Sequence, residues 1–361
     1  MATPTLCPDG RVDLKSLDRA GLEAWMVSRG EKPFRALQVY KWLWQRGVRD
    51  FEAMSNISRE ARKALSEAAS ISWLETATVQ ESRDGTKKFL WRTYDGHFIE
   101  SVLIPDPDHP GGPRLTLCVS SQVGCAMACS FCLTGDLGLK RHLTPSEIAN
   151  QPLQVSQTLA PGERITNLVF MGMGEPLHNY DNLLVALRNL LDGDGQNYSH
   201  RKITVSTVGL VPAMRRLADE LPVNLAVSMN ATTEEQRRHV MPLTRKYSLE
   251  ELMQTCRELP LPAGKRITFE YVMMAGFNDS LDDARRLMRL LSGIKAKVNL
   301  IPYNENPQRD IKRPSPETVK AFQHHLVSRG LHCSVRTTRG IDISAACGQL
   351  GKAADGMRRA S

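Results

Sequence analysis

A repeated alternation of strand and helix is the feature that most constrains the fold of this chain. Short runs rich in β-branched residues are each followed by a segment in which apolar residues have helical spacing. The predicted strands are 115–119, 165–171, 203–206, 224–228, 267–273 and 298–302. The predicted helices lie near 144–158, 181–193, 211–220, 248–258, 281–292 and 315–329. Six such units predict an α/β fold with a parallel sheet, either open or rolled into a partial barrel.

Two smaller units precede the predicted barrel. Apolar residues with a period of about 3.6 predict helices at 14–25 and 34–44, and residues 51–57 lead into a third. Basic residues lie among the aromatic ones, which fits either a nucleic-acid-binding module or a docking domain with a solvated basic face. From 77 to 104 apolar and polar residues tend to alternate, and Asp84-Gly85 and Asp95-Gly96 are turn signals. This pattern predicts antiparallel strands that form a β-hairpin extension. The predicted units are 1–75 (helical accessory domain), 76–110 (strand extension), 111–345 (barrel) and 346–361 (C-terminal loop and basic tail).

The bulk composition excludes several classes of protein. With 41% hydrophobic and 24% charged residues, the chain has the composition of a globular protein with a full core. Neither a membrane-spanning apolar run nor a signal-like N-terminus is present in the sequence. We therefore expect a cytoplasmic protein without membrane contact, in which clustered cysteines bind metal or react. A net charge of +8 suits a polyanionic partner but does not by itself indicate RNA.

The unusual residues of the chain follow its predicted strands. In α/β barrels, chemistry gathers at the C-terminal ends of the strands, which share one face. The predicted strands end in polar or glycine-rich segments: the cysteine-rich segment after 119, then 171–176, 206–209, 228–230 and 302–304. Their convergence predicts a ligand site at that face.

Four of the eight cysteines lie between residues 118 and 132, and the last three have the spacing C-x3-C-x2-C. A structural zinc ion needs four protein ligands, and Cys118 could be the fourth. An iron–sulfur cluster held by Cys125, Cys129 and Cys132 would instead leave one iron open to a substrate. The sequence has no second C-x2-C pair and no two histidines at the spacing of zinc ligands, which favours the cluster. This spacing, after the first strand of a β/α series, is the signature of radical S-adenosylmethionine (SAM) enzymes.

The segment 172–176 is then interpreted as the part that meets the amino acid end of SAM. Glycine at 174 lets the backbone approach closely, and the carboxylate of Glu175 can pair with an ammonium group. A tight strand-to-helix turn with a solvated Glu is the alternative. The predicted SAM-binding residues are Gly174, Glu175, Ser206, Ser228, Met229, Asn230 and Asn304. Taken singly, Ser206, Ser228 or Asn304 could be merely a helix cap.

Several segments resemble the RlmN/Cfr family of radical-SAM RNA methyltransferases, and the likeness covers almost the whole chain. They are residues 118–125, 170–176, 298–302 and 342–350, the last of which contains Ala-Cys347-Gly-Gln. The resemblance implies a partial (β/α)6 TIM-type barrel as the radical-SAM core, a [4Fe-4S] cluster on three cysteines and two SAM molecules per turnover. It also implies methylation at C2 of adenosine 2503 in 23S rRNA and of adenosine 37 in tRNA.

The resemblance further implies roles for Cys347, Cys118 and Glu100. C2 of adenine is electron-poor and cannot attack the methyl group of SAM, so Cys347 first takes that methyl by polar displacement. After a second SAM is cleaved, a methylene radical on Cys347 adds to the base, and Cys118 resolves the protein–RNA adduct by forming a disulfide. Glu100 is implied to abstract the C2 proton. The alternatives are an inert buried thiol for Cys347 and a strand-surface carboxylate for Glu100.

Departures from the usual family sequence leave a second regiochemistry open. Asn230 replaces the usual histidine, and Val208 with residues 135–141 and 278–280 resembles Cfr-like members, which methylate C8 and confer ribosomal antibiotic resistance. The segment 174–176 and the complete N-terminal unit favour C2. A non-catalytic, zinc-stabilised RNA-binding protein is the alternative outside the enzymes. The expected partners of a monomeric enzyme are 23S rRNA, tRNA, an electron donor such as flavodoxin with its reductase, and a disulfide reductant.

Overall fold

The computed structural model describes residues 5–7, 9–262 and 264–351, so the predicted basic tail after 351 lies outside the described residues. The N-terminal unit is helical, as predicted. Its elements are β1 (Val12–Asp13), α1 (Arg19–Ser28), α2 (Pro33–Lys41), α3 (Arg59–Ala68) and β2 (Ala69–Ser70), and β1 pairs with β2 in parallel. Residues 51–57 form a loop rather than the start of the third helix, because Ser58 caps α3 by accepting a hydrogen bond from Ala61 N.

The N-terminal unit and the barrel share one hydrophobic core. Leu14, Val39 and Trp44 belong to the same cluster of buried side chains as the barrel strands. Polar contacts also cross the junction, since Tyr40 Oη donates to Asn189 Oδ1 at 2.8 Å. The helical unit therefore packs directly against the barrel. Its role, as an RNA-binding module or as a docking domain, stays a prediction.

A ten-stranded sheet organises the rest of the chain. Four strands that pair antiparallel in succession come first: β3 (Glu75–Glu81), β4 (Lys87–Arg92), β5 (Phe98–Asp106) and β6 (Arg114–Cys118). A separate antiparallel pair follows, β7 (Gln122–Val123) with β8 (Arg141–His142). The parallel strands joined to β6 are β9 (Asn167–Phe170), β10 (Ile203–Thr207), β11 (Asn224–Ser228), β12 (Ile267–Met273), β13 (Ala296–Pro302) and β14 (Cys333–Val335).

Helices connect the parallel strands. They are α4 (Leu133–Asp136), α5 (Pro145–Ser156), α6 (Tyr180–Leu191), α7 (Val211–Glu220), α8 (Glu234–Val240), α9 (Leu249–Glu258), α10 (Leu281–Leu290) and α11 (Pro316–Val327). No helix in the described ranges is both long and apolar enough to cross a membrane. The partial β/α barrel predicted from the sequence is confirmed, and the helical unit precedes it in the chain.

The strand extension is larger than the predicted hairpin. It has three strands, β3 to β5, and it continues the barrel sheet instead of standing beside it. Cys118, at the end of β6, is paired with Val169 in parallel and with Val102 in antiparallel orientation. The two halves of the sheet therefore meet at the strand that ends in this cysteine.

Candidate active site

The C-terminal strand ends converge on one cavity, as the sequence predicts. Its lining includes most of the predicted site residues: Cys125, Cys129, Cys132, Gly174, Glu175, Ser206, Ser228, Asn230, Asn304 and Cys347. Cys118, Met229 and Glu100 are not part of that lining within the described chain. The parallel strands bring these residues together because their carboxyl ends lie at the same edge of the sheet.

The three clustered cysteines lie on the loop between β7 and α4. Gly124 opens this loop with φ +76°, and a Cβ there would collide with the carbonyl oxygen of Gly138. Cys125 and Cys132 are half-buried, Cys129 is buried, and all three are free thiols. Burial raises the pKa of each thiol, and Cys132 and Cys125 raise the pKa of Cys129 further. The three sulfurs thus face a common space.

The arrangement of these thiols fits a cluster better than a single ion. Among the residues that the structure describes, no three Cys, His, Asp or Glu side chains converge closely enough to hold one metal ion. A [4Fe-4S] cubane makes a different demand, because each cysteine binds its own iron at a separate corner. Met127 and Tyr303 pack with Cys129 in a second apolar cluster, which would shield the inorganic core from water.

Two glycines after β9 bring the backbone close to the neighbouring strand end. A Cβ at Gly172 would lie 2.7 Å from the carbonyl oxygen of Val119. A Cβ at Gly174 would lie 2.5 Å from Gln122 Cβ, and Gly174 also has φ +99°. Both positions therefore exclude a side chain, so the backbone itself forms this wall of the cavity.

Glu175 joins the ends of β9 and β10. Its carboxylate accepts hydrogen bonds from Val208 N at 2.9 Å and from Leu177 N at 3.0 Å. Burial raises the pKa of the carboxyl to about 7, although these bonds and one from Thr207 act in the opposite direction. The residue is therefore buried and bonded, so the solvated-turn alternative is wrong. Its pairing with the ammonium group of SAM stays a prediction.

Asn230, which stands in place of the usual histidine, connects the ends of two strands. It has φ +54°, a left-handed conformation that Asn and His adopt more readily than most residues. Its Oδ1 accepts from Val272 N at 2.8 Å, which ties β11 to β12. Met229 is fully buried in the core, because side chains alternate along the strand end and Ser228 faces the cavity. The side chain of Met229 is thus not placed for the predicted SAM contact.

The loop after β14 carries Cys347 into the cavity. Asn304 Nδ2 donates to the carbonyl oxygen of Cys347 at 3.1 Å, and Leu133 N donates to that of Gly348 at 2.8 Å. Cys347 is half-buried, whereas Cys118 is buried, and both are free thiols. Burial raises the pKa of Cys118 to about 12, and the Cys347 thiol adds to that increase. The fold therefore brings these two cysteines from opposite ends of the barrel sequence close enough to interact.

Glu100 has a position that neither sequence interpretation describes. It is fully buried on β5, so it is not a strand-surface carboxylate. Its Oε2 accepts from Gly351 N at 2.9 Å, and its Oε1 lies 3.9 Å from Lys88 Nζ. Glu100 thus contacts the end of the loop that carries Cys347. Its role in removing the C2 proton stays a prediction.

Two arginines of the site were missed from the sequence. Arg336 lines the cavity just after β14, and its pKa is raised chiefly by Cys347 and also by Glu270 and Cys118. A prediction of β14 would have placed Arg336 at a strand end. Arg237 is 1% exposed and donates to Thr244 Oγ1 at 2.9 Å. Nothing in the sequence separates it from the surface charges of α8.

Comparisons with known proteins agree with this geometry. A family model described as the ribosomal RNA large subunit methyltransferase N-terminal domain matches residues 12–71, and the radical SAM superfamily matches residues 119–291. A dual-specificity RNA methyltransferase RlmN from Anaeromyxobacter sp. (strain Fw109-5) is 53% identical over 95% of this chain and 91% of its own. One from Pelobacter propionicus is 49% identical over 97% of this chain and 98% of its own.

A solved structure shows the same fold. The crystal structure of a radical SAM methyltransferase from Sphaerobacter thermophilus has a TM-score of 0.87 and 42% identity, and covers 94% of this chain and 98% of that one. The relatives match both the N-terminal unit and the barrel with its cysteine loop. The chain therefore belongs to the RlmN family of radical-SAM RNA methyltransferases, enzymes that use SAM and a [4Fe-4S] cluster.

Proposed function

We propose that this enzyme methylates C2 of an adenosine in 23S rRNA and C2 of an adenosine in the anticodon loop of tRNA. The observation that carries the proposal is the position of Cys347, which lines the same cavity as the three clustered cysteines and lies close enough to Cys118 to raise the pKa of its thiol. The description of the relatives as dual-specificity RNA methyltransferases supports two RNA substrates. Family membership removes the non-catalytic zinc-binding alternative.

In this proposal Cys125, Cys129 and Cys132 hold the cluster, which when bound supplies the electron that cleaves SAM. Gly172 and Gly174 line the cavity, and their backbone would meet the amino acid end of SAM there. Within the described chain, the hydroxyls of Ser206 and Ser228 make no hydrogen bond, although both residues line the cavity. They are therefore available to a ligand, whereas Asn230 and Asn304 act through the backbone groups that they hold.

The two thiols carry the methyl group and release the product. Cys347 takes a methyl from SAM, and its sulfur later links the one-carbon unit to the base. Cys118 attacks that sulfur, the carbon–sulfur bond breaks with its electron pair on carbon, and a proton completes the methyl group. The disulfide that remains is reduced by an external thiol. Arg336 lies close enough to Cys118 for its positive charge to lower the pKa of that thiol, although burial has the larger, opposite effect.

The C8 alternative gains no support from residues 278–280, one of the three features that suggested it. Asn278 is fully buried, and its Nδ2 donates to the carbonyl oxygens of Asn230 and Val272, each at 2.8 Å. Its Oδ1 accepts from Met274 N at 2.7 Å. The amide thus supports the end of β11, and Asn278 does not line the active-site cavity. The proposal includes a cytoplasmic monomer, reduced by a flavodoxin-type donor.

The test is mass analysis of rRNA and tRNA from a host that lacks its own enzyme and expresses this chain. We expect 2-methyladenosine in both RNAs; 8-methyladenosine would replace the C2 proposal, and unmodified RNA would contradict it. Cys118→Ala should purify crosslinked to RNA, because the adduct forms but cannot be resolved. Cys347→Ala should never become crosslinked, and Cys333→Ala, a buried thiol outside the cavity, is the matched control.

A further inference from the structure

A second cavity opens at the end of the barrel opposite the active site. It lies where β10, β11, β12 and β13 begin, and its lining is rich in positive charge. The basic residues of the lining are His200, Arg201, Lys265, Arg266 and Lys297. In TIM-type barrels this face usually serves stability rather than chemistry, so such a concentration of cations needs a separate explanation.

Strand alternation shows that this cavity is the other mouth of the barrel interior. Thr204 lines it, and Ser206, two residues further along β10, lines the active site. In the same way, on β12, Thr268 lines the second cavity, called the lower mouth below, and Glu270 lines the active-site cavity. Residues two apart on a strand share a face, so both cavities belong to the inner face of the sheet.

The described lining of the lower mouth is basic and carries no acidic side chain. Within the described chain, its lining contains no Asp or Glu, and none of its basic residues forms an ion pair. By contrast, Arg215 on α7 and Arg238 on α8 pair with Glu258 and Glu234. Glu270 lies on the same inner face, two residues after Thr268 along β12 and nearer the active site. Its carboxylate accepts from Asn299 Nδ2 at 2.8 Å.

The cations of this mouth are crowded. Burial and the nearby Arg201 both lower the pKa of Lys265, whose ammonium donates to the carbonyl oxygen of Pro222. The hydroxyls of Thr204 and Thr268 make no hydrogen bond within the described residues. The mouth therefore offers the guanidinium groups of Arg201 and Arg266, two ammonium groups and two hydroxyl donors in a concave space, and like-charge repulsion favours an anionic occupant.

We propose that this lower mouth is a phosphate-binding site, separate from the catalytic cavity. Arginine binds phosphate oxygens in a bidentate fashion, lysine adds a point charge, and threonine hydroxyls complete the set. The phosphate belongs either to the RNA backbone or to a small phosphate such as pyrophosphate. In the first case, which rests on the proposed function, the enzyme holds its RNA on a face remote from the cluster.

The experiment compares two double variants that remove the same net charge. Arg266→Gln with Lys297→Gln empties the lower mouth, whereas Arg215→Gln with Arg238→Gln removes ion-paired cations from the outer helices. Calorimetry of the cluster-loaded protein measures the affinity for inorganic pyrophosphate. We expect a loss of about tenfold or more in the first variant and less than about twofold in the second.

A second arm identifies the source of the phosphate. The affinity for a single-stranded RNA oligonucleotide is measured at several salt concentrations. A weaker affinity and a salt slope that is smaller by about 1.4 for two lost contacts would assign the site to the RNA backbone. Unchanged RNA binding together with lost pyrophosphate binding would assign it to a small phosphate.

Equal effects of the two double variants, or no effect of either, would overturn the proposal. Arg266 and Lys297 are both exposed, so their replacement leaves the core intact. Arg201→Gln with Arg266→Gln is a second variant of the same mouth and must give the same result. The pyrophosphate measurement requires no methyl transfer, so its failure is distinct from a failure of the proposed function.

Discussion

Lys15 should make the stability of this protein rise with pH, and Lys15→Met should abolish that dependence. Lys15 is fully buried where the helical unit meets the barrel. Its Nζ donates to Asn150 Oδ1 at 2.9 Å and lies 3.9 Å from the centre of the Trp73 ring and 5.5 Å from that of Trp44. These contacts satisfy the side chain only in part, because the ammonium has lost its water.

The sign of the effect follows from the direction of the pKa shift. Burial lowers the pKa of Lys15 from 10.5 to about 7; Asp13 opposes the shift and Arg49 adds to it. Between these values the unfolded chain binds a proton that the folded chain has released, so the free energy of unfolding rises with pH. The full shift corresponds to about 5 kcal/mol, of which about 2 kcal/mol appears between about pH 7 and pH 9.

The assay is denaturant unfolding of the anaerobic, cluster-loaded protein at several pH values, followed by tryptophan fluorescence. Met keeps the apolar stem against the indole rings but cannot titrate, so subtracting the variant isolates the ammonium. We expect the stability of wild type relative to Lys15→Met to increase by about 2 kcal/mol between about pH 7 and pH 9. Lys63→Met, on the exposed side of α3, is the matched control. A difference that does not change with pH would refute the reasoning.

Three further predictions concern the active site. Cys129→Ala should purify without iron because two thiolates cannot hold the cluster, whereas Cys118→Ala should keep it, as iron analysis would show. Gly172→Ala should weaken SAM binding and lower the melting temperature, since its Cβ would lie 2.7 Å from a backbone oxygen; Gly193→Ala, with nothing within 4 Å, should do neither. Glu175→Gln should destabilise the fold by about 1–3 kcal/mol in denaturant unfolding, because an amide cannot accept from both N–H groups.

The barrel and its cavity could be predicted from the sequence because both depend on local patterns. Alternating strand and helix segments fix a parallel sheet, and a parallel sheet places all strand ends at one edge. The sequence therefore predicts that Cys125, Ser206 and Asn304 share one site, and all three line the active-site cavity. Strand β14 has only three residues, too few for a hydrophobic period, and Arg336 was missed with it.

Other features depend on partners that are distant in the sequence. Arg237 is charged and lies on a short helix, so its sequence context resembles that of an exposed residue. It is nevertheless buried, and it donates to the carbonyl oxygens of Val208 and Ser228, at the ends of β10 and β11. The burial of Glu100 likewise depends on the C-terminal loop, which is 251 positions away at Gly351. Patterns within a segment predict which face is buried but not which charged groups the fold will enclose.

The antiparallel extension supports the loop that carries Cys347. From β4, Lys88 Nζ donates to the carbonyl oxygen of Ile343 at 2.7 Å, and in the turn before β4, Ser82 Oγ donates to Asp342 Oδ1 at 2.6 Å. The strand at the other side of β5 is β6, which ends in Cys118. Because one continuous sheet holds both the loop and Cys118, the two thiols keep a defined relation to each other. A detached hairpin could not do this, since its own motion would separate the two sulfurs.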